Sequence, residues 1–246
     1  REQLLAAGTN RLDGILMTHA HADHVHGIDD VRPLVIQAGK RIGIFMEAFT
    51  AAEVLRRFDY IFHTPPGSHY PPLLDAGTLT PGVKQAISGQ GGDVEAMPFL
   101  LDHGDCQALG FRFGGLAYTP DVVAIPDEAV RWLADLDVWI IDALRYTKHP
   151  SHFSLQEALE WIARMAPRRA ILANIHRTSP IDRGRYYWIS CWPNLRTSTP
   201  GMGEKNNHKC PPRHDNSRYT GIMGDRQHSS HVHQSAPALI IIGVRP

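Results

Sequence analysis

Thr18-His19-Ala20-His21-Ala22-Asp23-His24 is the stretch whose reading decides the fold. It follows a short apolar run, residues 14–17, and sets three histidines and an aspartate within six residues. In extended backbone, alternate side chains fall on one side. His19 and His21 can therefore reach one ion. Asp23 and His24 come after the chain turns into a helix, so they point elsewhere and can hold a second. Imidazole and carboxylate are suitable ligands for Zn²⁺, Mn²⁺ or Fe²⁺. Two such ions, roughly 3.5–4 Å apart, can share a hydroxide and polarise a phosphoryl oxygen together. The small residues Ala20 and Ala22 leave room for close approach.

Outward from this loop, the pattern predicts alternating strands and helices. Residues 14–18 form a buried strand that delivers the histidines at its C-terminal end. Residues 23–34 form a short helix stopped near Pro33, and 41–45 a second strand. Residues 48–58 are helical, with Val54, Leu55 and Phe58 on one face. The Pro- and Gly-rich segment 63–74 is an irregular loop. Strands are expected over 80–88, 94–101, 111–118, 138–142 and 170–174, and a helix with an acidic first turn over 127–134. The segment 154–165 is an amphipathic helix, with Ser154 as its N-cap and Glu157 at capping-box spacing.

Three more polar residues end apolar runs, where an α/β sheet places its chemistry. His103 follows the strand 94–101, Asp121 follows Thr119-Pro120, and His176 follows the strand 170–174. With the first loop they supply the seven ligands that two ions would need, with room left for water.

Composition sets broad bounds. The chain has 246 residues, enough to bury a sizeable core, and 15 of them are histidine. Lys+Arg and Asp+Glu are both 25, so the formal net charge of zero gives no reason to expect a nucleic-acid or membrane partner. Three dispersed cysteines, Cys106, Cys191 and Cys210, form neither a disulfide framework nor a zinc knuckle, which favours a reducing, cytoplasmic compartment. No run of about 18 apolar residues suggests a membrane span. Residues 1–8 read as the end of a glycine-capped helix, so the natural beginning is expected to lie upstream. From Arg177 onward there are ten Lys or Arg against four Asp or Glu, with no period. The domain is expected over 1–181. The tail 182–246 is expected to be poorly ordered, apart from a strand near 237–244, and to arise from a shifted reading frame.

These residues carry a family resemblance. The THAHADH loop, the His103-Gly104 pair, Ala117-Tyr118-Thr119-Pro120-Asp121 and the late strand before His176 resemble the metallo-β-lactamase fold hydrolases. Within them, His24-Val25-His26-Gly27-Ile28-Asp29-Asp30-Val31-Arg32-Pro33-Leu34 and His149-Pro150-Ser151-His152-Phe153-Ser154-Leu155 resemble the phosphoribosyl cyclic phosphate phosphodiesterases of phosphonate breakdown. The resemblance implies a four-layer αββα sandwich of α/β class, here without the family's first strands. It assigns His19, His21 and His103 to one ion and Asp23, His24 and His176 to the other, with Asp121 bridging. It also implies that a histidine of the His149–His152 segment binds substrate phosphate or acts as general acid, and His152 matches that position better.

The expected activity is therefore metal-dependent hydrolysis of a small, cyclic phosphate diester by a hydroxide shared between two divalent ions, Zn²⁺ or Mn²⁺. Asp23 would orient the hydroxide and His152 would protonate the leaving oxygen. The partner is a small phosphate ester, with no membrane and no nucleic acid, and a homodimer is compatible with the sequence. The alternatives are another hydrolase of the same fold (an RNA-processing nuclease, a thioesterase or a lactonase) or an inactive fragment. A nuclease should carry a basic arm, and the Pro-rich segment 48–75 is not basic.

Overall fold

The computed structural model describes residues 1–6 and 8–175, together with the strands at 187–190 and 239–242. In chain order the strands are β1 (Gly14–Met17), β2 (Ile42–Met46), β3 (Leu74–Thr78), β4 (Gln85–Gly89), β5 (Gly92–His103) and β6 (Cys106–Phe113). They continue with β7 (Leu116–Thr119), β8 (Val138–Asp142), β9 (Arg169–Ala173), β10 (Tyr187–Ser190) and β11 (Leu239–Ile242). They form two sheets, ordered β11-β1-β2-β3 and β10-β9-β8-β7-β6-β5-β4.

Side-chain alternation assigns the layers. On β1, Ile15 and Met17 join Val35 and Val54, which come from the helices Arg32–Ala38 and Ala48–Arg57. Leu16, between them, instead joins Ile87, Leu109 and Phe111 of the second sheet. On the far side of that sheet, Phe99, Leu101, Trp139 and Ile141 pack with Ala158 and Ile162 of the helix Leu155–Met165. The order is helix, sheet, sheet, helix, and burying each large apolar side chain contributes roughly 1.5–3 kcal/mol. This is the four-layer αββα sandwich that the family resemblance implied.

Strand direction builds the site. β7, β8 and β9 are parallel, and β5 reaches β7 through two antiparallel pairings, so it runs the same way. Four C-terminal strand ends therefore meet at one edge. The main chain ties the sheets together there, where the Leu109 N–H donates to the Thr18 carbonyl at 2.9 Å.

Several local expectations need correction. Pro33 does not stop a helix. It lies in the first turn of Arg32–Ala38, where its missing N–H costs nothing, and the helix ends at Gly39 in the left-handed region. The expected strand 111–118 is two strands, because Gly114, at φ 55°, turns the chain between β6 and β7. The strand expected from residue 80 starts only at Gln85, after a turn at Pro81-Gly82 in which Val83 N–H donates to the Thr80 carbonyl. β3 was hidden at the end of the presumed loop 63–74, because Asp75 and Gly77 weaken its strand signal. The capping box at Ser154 is present, with the Ser154 N–H donating to Glu157 Oε2 at 2.9 Å.

The stretch 182–246 contributes β10, inside a part where no element was expected, and β11, inside the expected strand at 237–244. Its remaining residues, and with them the question of a shifted frame, lie outside the described residues. Among the described residues, no helix is long and apolar enough to cross a membrane.

Candidate active site

Strand ends deliver most polar side chains of the site, and the loop before the helix Leu155–Met165 adds His149 and His152. β1 ends just before Thr18-His19, β5 ends on His103, β7 runs into Asp121, β8 ends on Asp142 and β9 leads into Asn174. The loop after β1 turns at once into the short helix Ala22–Val25, which carries Asp23 and His24. Arg57 pins this loop from the helix Ala48–Arg57, donating to the Ala20 carbonyl at 2.8 Å.

Four imidazoles converge on one carboxylate oxygen. Asp121 Oδ2 lies 3.1 Å from His24 Nε2, 3.5 Å from His103 Nε2, 3.6 Å from His19 Nε2 and 3.9 Å from His152 Nε2. His21 Nδ1 lies 3.1 Å from His103 Nε2, and His24 Nε2 lies 3.5 Å from Asp23 Oδ2. Among the described residues, three groups of potential ligand atoms result: His21, Asp105 and Cys106 at the rim, and two deeper ones, His19, His21, His103 and Asp121, and Asp23, His24 and Asp121. The deeper two share Asp121.

Hydrogen-bond partners and burial set the protonation of the cluster. His103 Nδ1 sits 2.6 Å from the Ser151 carbonyl oxygen. A carbonyl only accepts, so Nδ1 carries the hydrogen and Nε2 of the neutral ring is a bare lone pair. Burial, reinforced by His24, pushes the His19 imidazole down to about 2, and burial also lowers His103, so both rings are neutral. His19 Nδ1 lies 3.1 Å from Thr18 Oγ1, while its Nε2 is buried with no hydrogen-bond partner. Burial alone would raise the Asp121 carboxyl, but its hydrogen bond with His24 holds it below the usual carboxylate range. The His103 Nε2 lone pair and a His19 Nε2 without a hydrogen-bond partner thus face an ionised oxygen, an arrangement that a cation between them would relieve. Ligands of one ion at about 2.0–2.2 Å stand about 3–3.6 Å apart, and the spacings 3.1, 3.5 and 3.6 Å match this. The residues fit divalent metal.

With this geometry in place, comparison with known proteins identifies the family. The profile of the beta-lactamase superfamily domain matches residues 1–175. The chain belongs to the beta-lactamase superfamily. A crystal structure of a diphosphatase from the PhnP family is similar at 30% identity and a TM-score of 0.64, over 73% of this chain and 67% of that one. The short form of human tRNase Z is similar at 18% identity and a TM-score of 0.52, over 72% of this chain and 78% of that one, which shows a shared fold alone. An octanoyltransferase of Porphyromonas gingivalis (strain ATCC BAA-308 / W83) is 29% identical over 186 residues. Those residues are 74% of this chain and 36% of that protein, so the chain spans about a third of its relative. The match and the two-sheet sandwich together give this chain the metallo-β-lactamase fold.

Within this superfamily member, His152 stands beside the cluster. Its Nδ1 lies 2.9 Å from Asp142 Oδ2, and Asp142 is wholly buried. Burial raises Asp142 to about 6 even though the His152 hydrogen bond opposes this. For His152, burial works to lower the pKa, but the hydrogen bond to Asp142 wins and raises it. The ring can therefore carry a proton at Nε2, on the side facing Asp121. His149 is further out: its Nδ1 accepts from the Ser151 N–H at 3.3 Å, and its ring centroid is 5.0 Å from that of His152. His176 lies outside the described residues.

Sequence reasoning missed Asp142, Asn174 and Cys106. The first two obey the rule that found Asp121, since each is a polar residue closing an apolar strand. Asn174 donates from Nδ2 to Asp121 Oδ1 at 2.9 Å and to Asp142 Oδ1 at 3.3 Å. Cys106 is a free thiol with Sγ 3.7 Å from His21 Nε2. It lines a cavity of about 240 Å³ that opens on His19 and His21 and includes Phe49, Glu53, Arg57 and Asp105.

Proposed function

We propose that this protein hydrolyses a small phosphate diester, foremost a five-membered cyclic sugar phosphate, with two divalent ions. His19, His21 and His103 would hold one ion, Asp23 and His24 the other with His176, and Asp121 would lie between them. The observation that carries this reading is the meeting of four imidazole nitrogens at Asp121 Oδ2, with the His152–Asp142 pair alongside.

Bound divalent ions supply an activated water and neutralise charge on the phosphoryl oxygens. Zn²⁺ and Mn²⁺ both suit this donor set. The chain's own residues do the rest. Thr18 and the Ser151 carbonyl fix the ring orientations of His19 and His103. Asp142 accepts the Nδ1 proton of His152, which leaves Nε2 to hold a proton for the departing oxygen. Asp23, exposed at the rim, can orient the attacking water.

Likeness to a diphosphatase favours attack at phosphorus over attack at a carbonyl carbon. A small substrate is favoured over RNA by charge. Glu53 and Asp105 line the adjoining cavity, and Arg57 there is already engaged by Glu53 and the Ala20 carbonyl. A polyanion would need unengaged cations at that mouth. The transferase activity in the name of the Porphyromonas protein is not carried over, because the match spans only 36% of it. The free thiol beside the site suits a reducing, cytoplasmic compartment.

The test pairs elemental analysis with turnover of bis(4-nitrophenyl) phosphate and of a five-membered cyclic phosphate. We expect about two ions per chain and hydrolysis of both esters. Bound metal with turnover of a thioester or lactone, and none of either diester, would overturn the phosphodiester reading.

A further inference from the structure

We infer that Asn174 is a positioning residue that locks the metal-facing carboxylate and the proton-donating histidine into one register, by sharing its amide between Asp121 and Asp142. The inference rests on the proposed reading of the site.

The backbone comes first. Asn174 follows β9 with φ at 62°, in the left-handed region that asparagine tolerates better than most residues with a side chain. Its side chain enters the cluster, with Nδ2 2.9 Å from Asp121 Oδ1 and 3.3 Å from Asp142 Oδ1. An amide nitrogen carries two hydrogens, one for each carboxylate. The 3.4 Å approach to His152 Nδ1 is no third bond, because that nitrogen already donates to Asp142.

The two carboxylates need such a donor. Asp121 is 4% exposed and Asp142 0%, so water cannot separate their charges. Each has its second oxygen committed elsewhere. Asp121 Oδ2 faces the imidazoles, and Asp142 Oδ2 accepts from the Val122 N–H at 3.2 Å and from His152. By holding both Oδ1 atoms, Asn174 fixes the rotation of both carboxylates at once. Aspartate here would add a third acceptor to the pair. Glycine would keep the backbone turn and remove the donor.

That last contrast separates a positioning role from a mere strand-end role. In Asn174→Gly, chelator competition should show metal affinity reduced about 10–100-fold, the usual cost of losing an outer-shell partner. Turnover of bis(4-nitrophenyl) phosphate should fall at least about tenfold, mainly in kcat. Imidazole ¹⁵N spectra of the metal-free protein should show His152 with its Nδ1–H tautomer in the wild type and a mixture in the variant. Asn174→Asp should lose metal affinity as well, whereas Asp142→Asn should lower turnover and leave affinity near wild type. Wild-type metal affinity and an unchanged His152 tautomer in Asn174→Gly would overturn the inference, and so would wild-type behaviour of Asn174→Asp. If the wild type hydrolyses no diester, the phosphodiester reading fails, while affinity and tautomer still decide the role of Asn174.

Discussion

The Nδ1 atom of His103 lies 2.6 Å from the carbonyl oxygen of Ser151, joining the end of β5 to the loop that carries His152. One contact thus sets the tautomer of a ring in the Asp121 cluster and the position of the His152 segment. Gly104 makes it possible. It has φ at 78°, and a Cβ there would come within 2.8 Å of Ser151 Cβ and 3.2 Å of the Pro150 carbonyl oxygen.

Gly104→Ala should therefore push the 150–152 loop outward. The expected result is a metal affinity about 10–100-fold weaker, with a stability loss of about 1–3 kcal/mol from overpacking. Chelator competition and urea unfolding measure the two effects. Unaltered metal affinity would show that the loop and His103 are independent.

His152→Ala should separate metal binding from proton transfer. His152 Nε2 is 3.9 Å from Asp121 Oδ2, further out than the nitrogens of His19, His24 and His103. The variant should keep its metal and lose about 10²–10⁴-fold in kcat, the span usual for a general acid. A substrate with a good leaving group, such as 4-nitrophenolate, should suffer less than a cyclic sugar phosphate. Full activity on the sugar phosphate would remove His152 from the mechanism.

His21→Ala should remove metal and turnover together. His21 faces His103 Nε2 through Nδ1 and belongs to the same group of potential ligand atoms as His19, His103 and Asp121. Chelation of the wild type should do the same and should lower the melting temperature, because ligand binding to the folded state alone stabilises it. Re-addition of Zn²⁺ or Mn²⁺ should restore both. Turnover that survives complete metal removal would exclude the two-ion site.

Much of this site is legible in the chain because its residues end apolar runs. His19, His103 and Asp121 are recognisable by that rule, and the structure brings them around one oxygen. Asp142 and Asn174 satisfy the same rule, yet neither carries a local spacing that marks it. Their role arises only when β7, β8 and β9 lie side by side, which is a matter of sheet order. Layer order came from the family resemblance, and alternation on β1 shows it in the structure. Strand boundaries near Pro81-Gly82 and Gly114 depended on turn geometry, which composition hints at without fixing. Pro33 misled for a clear reason: the same ring that breaks a helix interior is at ease in a first turn.

Acid should unfold the metal-free protein along a predictable path. Burial, with His24 adding to it, pushes His19 from its ordinary 6.5 down to about 2. Between these values the unfolded chain binds a proton that the folded chain refuses. The stabilisation is thus complete above pH 6.5 and declines as pH falls, by about 1.4 kcal/mol per pH unit for one proton. Burial lowers His103 as well, which adds to the decline. Asp142, raised by burial to about 6, works the other way between 3.8 and 6. The contribution of His19 is isolated by difference: urea unfolding of the metal-free wild type and of His19→Asn at pH 7.5, 6.0 and 4.5. The variant should show a shallower fall, by about one proton. Equal slopes in the two proteins would mean that His19 is not held neutral by its burial, and its Nε2 would then have no electrostatic need of a cation.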